Sequence, residues 1–257
     1  ETVVELRSDG GIPFIVFPGV RGTLESTEAL RANFPGTIWG IQITQTTPIE
    51  PFSALAAFLA AEIRAKRPKG PYRLVGYSAS SVVVVAVSKL LEDAGEEVIQ
   101  LSFIDHFPLL WTMEPTFLAL RDEEAKQALV DATGARVTDL ASRDPLYGPD
   151  SDRVKMLKEA MNVTAESEAD ENGEREVQVQ YMSIRRRTMA SLLDFLATFL
   201  PTEDGAESAT KYADAFNRWF ADVKAPLSAV TAEFGIAATM GDEARKEWGD
   251  LGASRCF

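Results

Sequence analysis

Histidine and cysteine are nearly missing: the 257 residues hold one of each, His106 and Cys256. A lone cysteine can close no internal disulfide, which fits a reducing compartment. With one histidine, imidazole chemistry must use His106 or a histidine outside this sequence. Basic residues are also scarce, 26 Lys and Arg against 39 Asp and Glu, for a formal charge of −13. Such a surface repels polyanions, and no dense basic stripe with interleaved aromatics offers a nucleic-acid footprint. No apolar run is long enough to span a bilayer and no secretory signal opens the chain, so a soluble, cytoplasmic protein with no membrane partner is expected. No repeat or low-complexity tract is evident.

What is present is an ordinary globular composition, 46% hydrophobic and 25% charged, enough for one sizeable core. Pro13-Phe14-Ile15-Val16-Phe17 reads as a buried strand running into a loop at Pro18-Gly19, and residues 37–43 read as a second strand. Phe52, Leu55, Phe58, Leu59 and Ile63 recur at helical spacing after Pro51, and the Pro68-Lys69-Gly70-Pro71 stretch ends that helix. A strand follows at 72–75. The four valines after Ser81 favour a strand by local propensity. The apolar run continues through Leu90 and Leu91 to Gly95, however, a length and ending that predict a largely buried helix. Residues 97–105 form the next strand. Strands alternating with helices define an α/β chain with a mostly parallel central sheet. Beyond it, helices are expected over 118–129, 152–161, 183–200 and 209–221, with an acidic loop at 166–176. A return strand over 225–234 and a short helix over 242–248 complete the pattern. The chain therefore divides into a core at 1–108, a helical lid insertion at 109–223 and a return to the core at 224–257.

Gly76-Tyr77-Ser78-Ala79-Ser80 sits where strand turns into helix. A sharp turn there lifts the Ser78 Oγ above the sheet and leaves the Ala79 N–H at a helix N-terminus. Gly76 supplies the small neighbour this elbow needs, while Ser80 stands where Gly-x-Ser-x-Gly ends in glycine. A serine that only caps the helix is the competing possibility. Asp105 closes the next strand, at the end where open α/β sheets build their sites, and could orient an imidazole. The loop after the first strand could aim a second N–H, from Val20 or alternatively Gly19, at the same point to complete an oxyanion hole. His106 adjoins Asp105 too closely to bridge it to a serine, and reads as a polar residue at the site mouth or a lid contact. Tyr77, His106, Trp111, Leu193 and Phe199 are candidates for an acyl channel. Arg64, Lys66, Arg67 and Lys69, and Arg185-Arg186-Arg187, could meet an acidic partner or a phosphate, or could be solvated helix faces. No metal site is implied.

Across residues 13–108 the sequence resembles the thioesterase domains that end fatty acid, polyketide and nonribosomal peptide synthases. The likeness is carried by Val16-Phe17-Pro18, Trp39-Gly40-Ile41-Gln42, Pro48-Ile49, Gly70-Pro71-Tyr72-Arg73-Leu74-Val75-Gly76-Tyr77-Ser78 and Ile104-Asp105. The resemblance implies an α/β-hydrolase fold with Ser78 as nucleophile and Asp105 as acid. It also implies an acyl thioester carried on the phosphopantetheine of an acyl or peptidyl carrier domain of the same synthase, with no other cofactor. Trp248-Gly249-Asp250-Leu251-Gly252-Ala253 resembles the segment shortly before that family's histidine, which is therefore expected beyond Phe257. A non-catalytic module that binds acyl chains or carrier proteins, and a free-standing esterase, are the alternatives.

Overall fold

The computed structural model describes residues 1–19, 24–133, 173–203 and 205–230. Its frame is a six-stranded sheet: β1 (Val3–Arg7), β2 (Phe14–Phe17), β3 (Ile38–Ile41), β4 (Tyr72–Tyr77), β5 (Val98–Ile104) and β6 (Leu227–Val230). The spatial order is β1-β3-β2-β4-β5-β6, parallel throughout except for β1, which runs antiparallel to β3. The sheet buries both faces, which is why its inner strands are continuously apolar. In β2, Ile15 and Phe17 point into the larger core cluster, while Phe14 and Val16 join a second one with Ile38, Val75, Leu30 and Phe34. That alternation is the period of two of a strand serving two layers.

Parallel neighbours require crossovers, and each is helical where described. α1 (Glu28–Asn33) links β2 to β3 and sends Leu30 into the second cluster. α2 (Phe52–Lys66) and α3 (Ser80–Asp93) link β3 to β4 and β4 to β5, and pack on each other. Both connections step the same way along the sheet, so right-handed crossovers put both helices on one face. α2 buries Phe52, Leu55, Leu59 and Ile63 as one stripe. In α3 the valine run is helical as expected: Val82, Val84, Val85 and Val87 are fully buried, and Gly95 takes the positive φ of +79° that ends the helix region. Burial between strands and neighbouring helices overrides the valines' strand preference.

The central block is mainly helical among the described residues, in α4 (Glu114–Arg121), α5 (Glu123–Thr133) and α6 (Gly173–Ala197), with α7 (Ser208–Ala221) leading into β6. The single helix expected over 118–129 is two. Asp122 leaves the helical region (φ −122°, ψ 113°), and its Oδ1 accepts the Ala125 N–H at 2.9 Å, so the residue closes α4 and caps α5. The helix expected from 183 begins at Gly173, displacing the end of the predicted acidic loop; glutamate is a good helix former. The Phe220 ring of α7 packs on Phe103 of β5 and on Phe107. β1 and α1 were not anticipated. The helices expected at 152–161 and 242–248, the loop at 166–172 and the strand beyond Val230 lie outside the described residues. Among the described residues no helix is long and apolar enough to cross a membrane.

Candidate active site

β4 ends at Tyr77, α3 begins at Ser80, and Ser78 between them holds φ at +53°, a left-handed conformation that β-carbon-bearing residues adopt rarely. Its N–H donates to the Ile104 carbonyl at 3.0 Å and its carbonyl accepts the Ser81 N–H at 3.0 Å. The strain is thus held by the neighbouring strand on one side and the first helical turn on the other, as at sites where strain is kept for function. Gly76 is required by contact: a Cβ there would lie 2.6 Å from Val84 Cγ1 and 3.2 Å from Ser81 Cα. The strand end and the helix could not approach as they do with any side chain at this position.

Ser80, where the elbow pattern has glycine, is 7% exposed and its hydroxyl is fully engaged. Its Oγ accepts the Tyr77 N–H at 2.9 Å and has the carbonyls of Tyr77 (2.8 Å) and Phe17 (3.0 Å) within donating distance. It therefore laces the end of β2 to the end of β4.

Ala79, the N-terminal flank of α3, presents its N–H at the positive end of a 14-residue helix with no acidic residue in its first turn. Gly19 faces it across the site: a Cβ built on Gly19 would lie 3.2 Å from Ser78 Cβ and 3.1 Å from Tyr77 Cδ1. The loop after β2 therefore reaches the serine. Val20 lies outside the described residues.

Asp105 follows β5, the strand beside β4, with Tyr77 paired to Ile104 and Ile104 to Val230. It too has a positive φ, +62°, and its N–H donates to the Val230 carbonyl at 2.8 Å. Its Oδ1 is buried. Ser78 and Asp105 therefore sit just past the carboxyl ends of adjacent parallel strands.

His106 turns away from this pair. Its Nδ1 lies 3.3 Å from Ser81 Oγ and its ring packs on Trp111 with centroids 5.0 Å apart. Burial pushes its pKa down from 6.5 to about 4, against the smaller opposing effect of backbone hydrogen bonds at His106 and Phe107. The imidazole is therefore neutral near pH 7.

A narrow apolar cleft opens beside Ala79, Ser80 and Gly19, with a cavity volume of about 30 Å³ and the remainder open to solvent. Phe17, Ile41, Ile43, Leu55, Leu59 and Val83 come to it from the core, and Thr188, Met189 and Leu192 from α6. α6 is tied down over this region by Ser191 Oγ donating to the Ile49 carbonyl at 2.7 Å and by Arg187 on Glu50 at 3.1 Å. Of the five channel candidates, Tyr77 adjoins the site, and His106 and Trp111 form their own pair behind it. Leu193 and Phe199 do not line the cleft. Leu193 is a core residue, 1% exposed, and Phe199 packs among Phe195, Phe216 and Trp219. The cleft-lining strand and α2 residues were missed because nothing in an apolar core stripe marks which member borders a void.

The basic clusters are engaged locally. Arg64 and Lys69 approach Glu96 at 3.9 Å, just before β5 and thus at the far end of the sheet from Ser78, and Lys66 donates to the carbonyl of Val3, on edge strand β1, at 2.8 Å. Arg186 pairs with Asp131 at 3.5 Å.

The strained serine between a parallel strand and a helix, with a carboxylate ending the next strand, sits in a mostly parallel sheet of the α/β-hydrolase fold. The chain belongs to the thioesterase domain family, whose profile matches residues 13–147. It is 30% identical over 268 residues to the highly reducing polyketide synthase stpks1 of Strobilurus tenacellus, an alignment that covers 99% of this chain and 9% of that synthase. It is 39% identical over 92 residues to a dimodular nonribosomal peptide synthase of Bacillus subtilis (strain 168), across 36% of this chain and 4% of that protein. In fold it is similar to the holo-AB3403 four-domain nonribosomal peptide synthetase (TM-score 0.54, 18% identity, 97% of this chain and 20% of that one). It is also similar to the Vlm2 thioesterase domain solved with a dodecadepsipeptide (TM-score 0.52, 17% identity, 99% and 98%). The chain thus spans a small part of the synthases it matches.

Proposed function

We propose that this domain releases an acyl or polyketide chain from the phosphopantetheine thioester of a carrier domain in its own synthase, through an acyl-enzyme on Ser78. Ser78 Oγ adds to the thioester carbonyl, and the developing oxyanion accepts hydrogen bonds from the Ala79 N–H and from the loop after β2, with Val20 as the assigned donor. The C–S bond then breaks, the pantetheine sulfur leaves with the proton lost by Ser78, and an ester remains on the enzyme. Water cleaves that ester to give the free acid; a hydroxyl or carbon nucleophile within the chain would cyclise it instead. Asp105 orients the imidazole that moves these protons. That imidazole is not assigned to His106, whose Nδ1 lies 3.3 Å from Ser81 Oγ. The acyl chain takes the apolar cleft, and the reaction belongs to the cytoplasm, which suits a chain with one cysteine.

One observation carries this proposal: Ser78 is kept at φ +53° at the strand-to-helix turn, against the glycine of the loop after β2. The full natural protein, incubated with an acyl-pantetheine thioester and followed by mass spectrometry, should show an acyl adduct on the Ser78 peptide that forms and decays. Ser78→Ala should show none. Tight acyl binding with no adduct in the unaltered protein would instead make this a non-catalytic binding module.

A further inference from the structure

We infer that Ser80 is a positioning residue for the oxyanion side of the site, its hydroxyl holding the Pro18-Gly19 loop in register with Ser78. Three polar groups converge on Oγ: the Tyr77 N–H at 2.9 Å, the Tyr77 carbonyl at 2.8 Å and the Phe17 carbonyl at 3.0 Å. Tyr77 immediately precedes the nucleophile, and Phe17 immediately precedes the loop whose Gly19 lies against it. One buried hydroxyl thus spans the two strands that carry the two halves of the oxyanion site, and its single proton can go to either carbonyl while its lone pair keeps the Tyr77 N–H.

A glycine at position 80 offers no such bridge. Gly19 touches Ser78 and Tyr77 so closely that a Cβ there would sit 3.1 to 3.2 Å from their side chains, so a small drift of the loop moves its backbone relative to the serine. Such displacements cost rate rather than affinity, because donors must meet the oxyanion where it forms.

This inference rests on the proposed acyl-enzyme route. Its test compares wild type, Ser80→Ala, Ser80→Gly and Ser78→Ala in the full natural protein, using an acyl-pantetheine thioester and counting active sites with a fluorophosphonate. Per active site, both Ser80 variants should acylate roughly tenfold more slowly, with KM within about twofold of wild type. Affinity for an alkyl boronate, which becomes tetrahedral on Ser78, should fall by the same factor, and affinity for the free fatty acid should hold. Ser80→Gly keeps the test open should Ser80→Ala not fold. Wild-type rates per active site in a Ser80 variant, with or without a lower Tm, overturn the inference and leave the acyl-enzyme route standing. No Ser78 adduct in the wild type removes both.

Discussion

His106 is the only histidine among the 257 residues, so its titration can be followed without assignment. The ring is 9% exposed, lies against Trp111 and touches Ser81 Oγ through Nδ1. Charging it in place would strand a cation in an apolar pocket, and burial accordingly lowers its pKa to about 4. An unfolded chain takes up that proton near pH 6.5. Between these values the unfolded state binds more protons, so stability falls as pH drops through the window and is complete above pH 6.5. The gap from 6.5 to about 4 corresponds to roughly 3 kcal/mol. In protein purified without a histidine tag, the imidazole Cε1–H resonance should titrate near pH 4. Urea unfolding at pH 7 and at pH 4.5 should show a loss of stability that His106→Gln lacks, the comparison subtracting the carboxylates common to both. A titration midpoint at or above 6.5, or parallel losses in the two proteins, would refute the reasoning.

Gly76→Ala should cost about 1–3 kcal/mol in urea unfolding and slow Ser78 acylation, because its methyl would meet Val84 Cγ1 at 2.6 Å and the backbone of α3 behind it. Tyr212→Phe should cost about 1–3 kcal/mol with acylation per active site unchanged, since the buried Trp111 carbonyl would lose a hydroxyl donor at 2.8 Å. Leu59→Trp, filling the cleft floor, should lower kcat/KM for long acyl thioesters by roughly tenfold or more while sparing acetyl; equal losses for both would show that the chain lies elsewhere. Asp105→Asn in the full natural protein should lower the acylation rate by on the order of a thousandfold while leaving fluorophosphonate binding geometry intact.

The parallel core was legible in the sequence because its strands are short apolar runs bounded by Pro and Gly, and its crossovers show helical spacing. The sharp turn at Ser78 was legible because an elbow needs small neighbours at fixed offsets, and the place of Asp105 because it ends the next strand. Edge strand β1 was not, since only Val3 among its five residues is buried and no pattern marks it. The break at Asp122 was written there, as a capping Asp before Glu123-Glu124, but the apolar spacing of the surrounding helix masked it.

Local chemistry in the sequence alone thus determined where the chain turns, which serine is strained and which carboxylate stands beside it. Only the tertiary structure decided that Ser80's hydroxyl reaches back to Phe17, that His106 faces Ser81, and that Leu59 and Met189 border a cleft while Leu193 does not. Those outcomes depend on residues far apart in the chain meeting in space, and periodicity records which face of an element is apolar, not what that face will touch.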